Sequence, residues 1–497
     1  MNYNSALKLL MPLLEHLKIV DGKFKLVFNS KYSFLFLEYC FTLICGFSLS
    51  NKFLLERNFL ALTGDSSTSW SSPMIPKLLS NDSTINPLGR PITSLEKSWI
   101  GSLNNIGAMV GLYPFGLMSD CIGRRATLLI LAIPHFTAFM IFSVSTNIYL
   151  FYLGRFFNGL SVGAGYVVMP MYIAEISTDS NRGFLLVSYT VFSSFGGLLS
   201  FLAGPYMSVF WFNIFLATFP AIYFITFYII APESPYYYVQ KNKFNLAKEI
   251  IHKLRPYLVQ EEIANEVASV KNYLNSTKKY DVIKTLKSKP ALKGSLIAIV
   301  LCTLQQLSGE AAFLAYNEPI FADAGISIQP HIASMIVGSV FFISSFVSIF
   351  LVDKKGRKFL LTCSNIGLII SEVILGTYYI FQEDGSNVVG YSLIPVFSLI
   401  IYMFMYNVGV GPLPLTIVSE ILPMNIKFLV ATTAGFCSWL ASFLVTKFFD
   451  DVNDDLGKSG TIFIFTGFCL MLLLFTRCCV PETKGKSLHS IQTILGK

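Results

Sequence analysis

Long apolar runs of about twenty residues, separated by short polar linkers, dominate the chain after residue 90. A helix crossing a ~30 Å hydrocarbon core needs about 20 mainly apolar residues. Such runs fall at 99–118, 126–144, 148–168, 184–204 and 209–231, and again at 291–314, 332–352, 359–379, 391–412, 426–447 and 461–480. One more before residue 80 makes twelve predicted spans. The alternation of a membrane barrel is absent, so the spans are read as helices. The first span is the least apolar. Residues 33–49 are apolar except for Glu38, whereas 51–69 hold Lys52, Glu56, Arg57 and Asp65. The crossing is therefore placed at 33–49 with a polar insertion behind it; the alternative is a weakly apolar crossing near 53–75.

Between the fifth and sixth of those later runs the pattern changes. In 232–290, Leu246, Ile250, Ile251 and Leu254 share one helical face, and Ile263, Val267, Val270 and Leu274 share another. Pro232, Pro235, Pro256 and Pro290 punctuate the segment, which reads as short surface helices. The expected organisation is a segment 1–32, a six-helix bundle 33–231, a linker 232–290, a second bundle 291–480 and a tail 481–497.

Composition sharpens this. Of 497 residues 53% are hydrophobic and only 13% charged, and the mean hydropathy is +0.59. Soluble domains carry about 25% charged residues. A water-soluble enzyme, a disordered chain and a collagen are excluded; the fold class is an all-α membrane protein. The net charge of +8 matters less than its placement. The linkers 119–125, 176–183, 353–358 and the segment 241–293 hold Arg124, Arg125, Arg182, Lys354, Lys355, Arg357, Lys358 and many more bases, while those near 145–147, 205–208, 318–331 and 382–390 hold none. The positive-inside rule then places both termini and the central segment in the cytoplasm. The sequon at Asn81 falls outside and is a glycosylation candidate; that at Asn275 falls inside. Lys8, Lys18, Lys23, Lys25 and Lys31 with no small-residue cleavage site argue against a secretory leader. The nine cysteines show no metal spacing and no disulfide framework. Cys478-Cys479 reads as filler, with palmitoylation as the alternative. No metal, cofactor or nucleic-acid partner is expected, and a monomer suffices.

Three signals recur in order across the divide. Asp120-Cys-Ile-Gly-Arg124-Arg125 returns as Asp353-Lys-Lys-Gly-Arg357-Lys358. Glu175 with Arg182 returns as Glu420 with Lys427, and Pro232-Glu-Ser as Pro481-Glu-Thr, at offsets of 233, 245 and 249 residues. Topogenic charge alone explains the bases but not the matched acids. One six-helix unit has been duplicated, as in secondary transporters with a site between the halves. The acids and bases suit a cytoplasmic gate that pairs across the bundles when closed. Exposed pairs of ~0–1 kcal/mol each would bias such an equilibrium without locking it.

These motifs resemble the sugar porter branch of the major facilitator superfamily, including insect facilitated trehalose transporters and glucose transporters. The resemblance rests on Gly116-Leu-Met-Ser-Asp120-Cys-Ile-Gly-Arg-Arg125, Gly154-Arg155-Phe-Phe-Asn-Gly159, Pro170-Met-Tyr-Ile-Ala-Glu175, Arg182-Gly183 and Pro232-Glu-Ser-Pro235. It continues with Gln305-Gln306-Leu-Ser-Gly309, Asp353-Lys-Lys-Gly-Arg357, Gly411-Pro-Leu-Pro414 and Pro481-Glu-Thr-Lys-Gly485. It implies facilitated movement of a sugar across the plasma membrane by alternating access, without covalent chemistry. It also implies that Gln305 and Gln306 contact the sugar, that Trp439 packs near its ring and that Tyr316 belongs to an outer gate. The alternative for two adjacent glutamines in a span is helix–helix glue.

The departures touch the same site. Thr190 stands where the family carries a glutamine, Ala311 and Phe341 where it carries asparagines, Leu415 where it carries a tryptophan, and Ser438 for another asparagine. Asn407 occupies the polar position of the tenth span. Each lost partner costs roughly 1 kcal/mol, so substrate identity stays open between trehalose and a hexose. Glu310, beside Ala311, is expected to line the path, because a lipid-facing carboxylate would be costly. Glu372 and His135 read as polar groups paired to neighbouring helices, and Arg155 as a residue ordering helix contacts. Two other functions remain alternatives: a proton-coupled sugar or polyol symporter, and a non-transporting sugar sensor.

Overall fold

The computed structural model describes residues 17–20, 23–26, 52–279, 282–354, 356–486 and 488–496. The chain divides into two units, 1–55 and 56–497. In the first, strands β1 (Leu17–Val20) and β2 (Lys23–Leu26) form an antiparallel hairpin with Leu17 opposite Leu26. The crossing expected at 33–49 lies outside the described residues.

The second unit is helical among its described residues. The stretch read as a polar insertion folds as α1 (Lys52–Ser69) and α2 (Ser71–Leu78). Leu60, Leu62, Trp70 and Met74 in it are almost fully buried. Its hydroxyls turn back on their own helix: Thr63 donates to the Phe59 carbonyl (2.8 Å), Ser66 to Thr63 (2.9 Å) and Thr68 to Gly64 (3.2 Å). Trp70 stacks on Phe142 at 4.3 Å and donates from Nε1 to Asn213 Oδ1 at 2.8 Å. A helix enclosed by protein tolerates low hydropathy because its polar groups meet partners rather than lipid.

The first half continues with α3 (Ser94–Ile122), α4 (Arg124–Val144), α5 (Ile148–Ile176), α6 (Asp179–Ala203) and α7 (Val209–Ile230). Helices α3 and α5 meet backbone to backbone. A Cβ on Gly159 would stand 2.0 Å from the Asn104 carbonyl, and only glycine permits that approach.

Short helices α8 (Pro235–Gln240), α9 (Phe244–Leu254), α10 (Gln260–Lys279) and α11 (Val282–Leu286) follow. Val239, Ala247, Ile251, Ile263, Val267 and Val270 give α8–α10 a small core of their own. The face of Ile263, Val267, Val270 and Leu274 packs as read, whereas on α9 Ala247 and Ile251 turn inward and Leu246 is exposed.

The second half has the same logic with broken helices. α12 (Lys289–Leu307) stops at Gly309, whose φ of +93° ends the turn, and α13 (Glu310–Ala315) and α14 (Asn317–Asp323) resume beyond it. After α15 (Pro330–Lys354) and α16 (Arg357–Glu383), α17 (Ile394–Met405) widens into a π-turn at Tyr406–Val410 before Pro412 opens α18 (Leu413–Ile421). α19 (Met424–Lys447) and α20 (Phe449–Cys478), the latter kinked at Gly457 with φ +77°, complete the bundle. The tail adds α21 (Leu488–Gly496), which buries Ile491 and Leu495 and donates from Gln492 to the Ile421 carbonyl at 2.6 Å. The halves meet along α3 against α19 and α6 against α15. Among the described residues, eight helical runs are long and apolar enough to cross a membrane.

The recurring motifs make recurring contacts. Glu233 Oε1 accepts the backbone N–H groups of Arg124 (2.9 Å) and Arg125 (3.1 Å) at the start of α4. Glu482 accepts those of Arg357 (3.0 Å) and Lys358 (3.2 Å) at the start of α16. A carboxylate at a helix N-terminus satisfies orphan donors and complements the helix dipole. Each half thus uses its Pro-Glu-Ser/Thr segment to cap its own third helix.

Candidate functional site

A cavity of about 180 Å³ lies where the halves meet, lined from the first half by Asp65, Asn104, Asn105, Arg155, Tyr166 and Thr190, and from the second by Gln305, Gln306, Glu310, Asn407, Ser438, Trp439 and Thr446 among others. It forms where α12 and α17 break, because a broken helix frees backbone groups inside the bundle. Gln305 Nε2 donates to the Gly411 carbonyl at 2.9 Å and to the Tyr406 hydroxyl at 3.2 Å, tying one break to the other. Among the described residues, the Gln306 amide makes no protein hydrogen bond, although it lines the same space.

Seven of the eight residues expected to contact substrate therefore converge: Gln305, Gln306, Thr190, Glu310, Asn407, Ser438 and Trp439. Asn407 is partly committed, donating to the Phe341 carbonyl (2.7 Å) and the Ser344 hydroxyl (2.9 Å). Trp439 packs edge-on to Tyr166 at 6.0 Å, forming an aromatic wall. The eighth, Tyr316, lies just beyond. It is fully buried, donates to the Thr446 carbonyl at 2.8 Å and stacks on Phe449 at 5.3 Å. Ala311 lines the cavity, but Leu415 and Phe341 do not.

Sequence reading missed Asp65, because it sits in the stretch taken as an insertion, and missed Asn104, Asn105, Tyr166, Tyr406 and Thr446. The adjacent asparagines inside an apolar run carried a legible signal, the same one that flagged Gln305-Gln306. Arg155 does what was expected and also lines the cavity. Fully buried, it donates to the carbonyls of Ile100 (2.8 Å), Ser67 (2.6 Å) and Gly101 (3.4 Å), with its guanidinium 5.6 Å from the Trp70 ring.

The charged motifs gather at the basic end of the bundle. Arg124 pairs with Glu175 (3.0 Å) and Asp120 (3.1 Å), and Arg357 with Glu420 (3.3 Å). Ser234 also donates to Glu175. These pairs lie inside each half, where the capping Glu233 and Glu482 hold each arginine beside the acid of its own bundle; the pairing across the halves is expected of a state closed on this side. Arg125 and Lys358 contribute backbone donors to those caps. The side chains of Arg182 and Asp353 are outside the described residues, and Lys427 sits at the start of α19.

The cross-half polar contacts at the opposite end are buried or partly buried. Lys97 pairs with Asp450 at 2.8 Å, Lys447 donates to Ser98 at 2.7 Å, Asn105 to Thr446 at 3.0 Å, and Ser71 to the Ala315 carbonyl at 3.0 Å. Toward the basic end, the link from Tyr113 to Thr433 (3.1 Å) is exposed. Outside the apolar run of α3, Arg90 forks onto Glu96 at 2.5 and 2.9 Å. That bond pulls the Glu96 carboxyl down to about 2.

The two peripheral polar groups behave as read. His135 Nδ1 lies 2.9 Å from Asn158 Oδ1, and Glu372 accepts from Cys469. Among the described residues no cluster suits a metal ion.

The family profile described as "Sugar (and other) transporter" matches residues 32–495. The facilitated trehalose transporter Tret1 of Bombyx mori is 34% identical over 403 residues, 81% of this chain and 79% of that one. Its counterpart from Culex quinquefasciatus is 33% identical over 81% and 78%. Among solved structures, the proton:xylose symporter XylE bound to 6-bromo-6-deoxy-D-glucose superposes with a TM-score of 0.72 at 22% identity, over 89% of this chain and 98% of that one. The inward-open xylose transporter XylE from E. coli gives 0.72 at 21% identity, over 89% and 99%. These structures share the fold of this chain.

Proposed function

This chain belongs to the sugar transporter family, and we propose that it carries trehalose or a hexose down its gradient across the plasma membrane. It is a multi-pass membrane transporter and not an enzyme. One observation carries the reading: amides and hydroxyls from both halves, with an aromatic wall, converge on one cavity at the junction. Amides offer a donor and an acceptor to adjacent sugar hydroxyls, and an aromatic face covers the apolar side of a ring.

In this reading Gln306, Ser438, Thr190 and Asn105 contact hydroxyls, Trp439 faces the ring, and Gln305 both touches sugar and pins the π-turn. Asn407 supports the same wall. The basic end is cytoplasmic, with both termini inside. The buried contacts of Lys97, Lys447, Ser71 and Tyr316 then close the outer mouth, while the exposed Tyr113–Thr433 link marks the inner path. Asp120, Arg124, Arg125, Glu175, Arg182, Asp353, Arg357, Glu420 and Lys427 brace the inner ends of the helices, and their repacking accompanies closure on that side. Exposed Asn81, in the turn after α2, is the glycan acceptor.

Uptake of radiolabelled trehalose and glucose by cells bearing the protein tests this, with Gln305→Ala/Gln306→Ala as the comparison. Saturable uptake, unaffected by a proton uncoupler and lost in the double variant at equal surface level, is the expected result. No uptake from surface-expressed protein would overturn the carrier reading. The carboxylates of Asp65 and Glu310 in the cavity support a second reading, proton coupling. Under it, uptake would collapse with the uncoupler and Glu310→Gln would lose its pH response.

A further inference from the structure

Two carboxylates face a cavity otherwise suited to a neutral sugar: Asp65 from the first half and Glu310 from the second. Among the described residues, no ion pair joins either to a base. The one cation lining the cavity, Arg155, spends its donors on three backbone carbonyls. Asn104, only 1% exposed, has an Nδ2 with no partner at the cavity wall. That donor is built for an acceptor the protein does not supply. Trp439 and Tyr166 add π-faces, which attract cations as well as sugar rings.

We infer that the preferred substrate is a single sugar ring bearing a protonated amine, a hexosamine, with the ammonium on the Asp65/Glu310 side and a ring or hydroxyl oxygen accepting from Asn104. This deepens the carrier reading and rests on it. With a neutral sugar each desolvated carboxylate must take up a proton to shed its charge, whereas an ammonium supplies a countercharge together with three donors. At about 180 Å³ the space is below the ~300–1,000 Å³ of drug-sized pockets, which favours one ring over two.

Competition at the full-length transporter in cells tests the inference. Unlabelled glucosamine, glucose and N-acetylglucosamine compete against radiolabelled glucosamine at neutral pH. Glucosamine should half-inhibit at about tenfold lower concentration than glucose, the size of one charge-assisted hydrogen bond. N-acetylglucosamine, which lacks the charge, should not share that advantage. In Asp65→Asn and Glu310→Gln the ratio should fall toward one. Equal potency of glucosamine and glucose in the unaltered protein overturns the inference while leaving the carrier reading intact, and needs no variant to fold. So does a ratio unmoved in both surface-expressed variants. Absence of saturable uptake of every sugar overturns the carrier reading, and the inference with it.

Discussion

The two halves carry the same motifs but differ where they meet the cavity. In the first, α3 and α5 run unbroken past it, locked backbone to backbone where Gly159 faces Asn104. In the second, the chain breaks beside it at Gly309 and at the π-turn before Pro412. A continuous helix satisfies its own backbone and offers only side chains. A broken one also offers carbonyls such as that of Gly411, and a place to bend. The comparison separates a stiff half, which supplies Asn104, Asn105 and Arg155, from an articulated half, which supplies Gln305, Gln306 and Glu310.

The largest expected effect lies in the stiff half. Gly159→Val would drive Cβ against a backbone carbonyl that no rotamer change relieves, exceeding the ~1–3 kcal/mol of ordinary overpacking. Almost no folded protein should reach the surface, whereas Gly467→Ala, with open space around it, should express normally. Size-exclusion profiles in detergent distinguish them, and normal expression of Gly159→Val would remove the contrast between the halves.

A smaller effect of another kind is expected at Gly309. Alanine there must hold a φ of +93° and meets the Phe465 ring at 2.5 Å, a cost of about 1–3 kcal/mol. The protein should fold but lose maximal uptake per surface molecule. Adding Phe465→Leu relieves the clash and not the φ, so rescue should be partial. Full rescue would mean that the break needs space rather than glycine.

Next come the equivalent arginines. Arg124, with 7% of its side chain exposed, holds Glu175 and Asp120; Arg357, at 15%, holds Glu420 across 3.3 Å. Truncating a buried partner leaves its acid uncompensated, at about 3–5 kcal/mol. Arg124→Ala should therefore lower the melting temperature in detergent more than Arg357→Ala. Equal losses would show the two braces to be equivalent.

The smallest effect is electrostatic and sits at the outer rim. Glu96 titrates at about 2 against an ordinary 4.5, because Arg90 donates to its carboxylate. Its contribution is fully present above the ordinary value and is lost as the pH falls from there toward 2. Glu96→Gln should flatten the acid limb of a thermal-stability profile across that window, lowering stability slightly at neutral pH and converging with the unaltered protein at the acid end.

Much of this was legible along the chain. The duplication showed in matched acids as well as bases, and structure gives those acids matching contacts, Glu175 to Arg124 and Glu420 to Arg357. Seven expected substrate contacts meet in one cavity, because polar residues inside apolar runs have few other places to go. Asp65 escaped because hydropathy assigns a helix to lipid or water and has no category for one sheathed by other helices. Which acid each arginine holds in this state, its own bundle's rather than the other's, was not legible, since charge complementarity names possible partners but not which lie within reach.

By itself the sequence determined the class of molecule, the recurrence of its charged motifs, the amphipathic linker and the residue types of the site. These follow from the solvent, which sorts apolar runs by length and bases by side, whatever their neighbours. Tertiary structure alone decided that α1 and α2 join the bundle, that Glu233 and Glu482 cap helices more than a hundred residues away, and that Asp65 and Glu310 share one cavity. Those facts depend on which helices touch, and no local pattern of hydropathy records a neighbour brought in by folding.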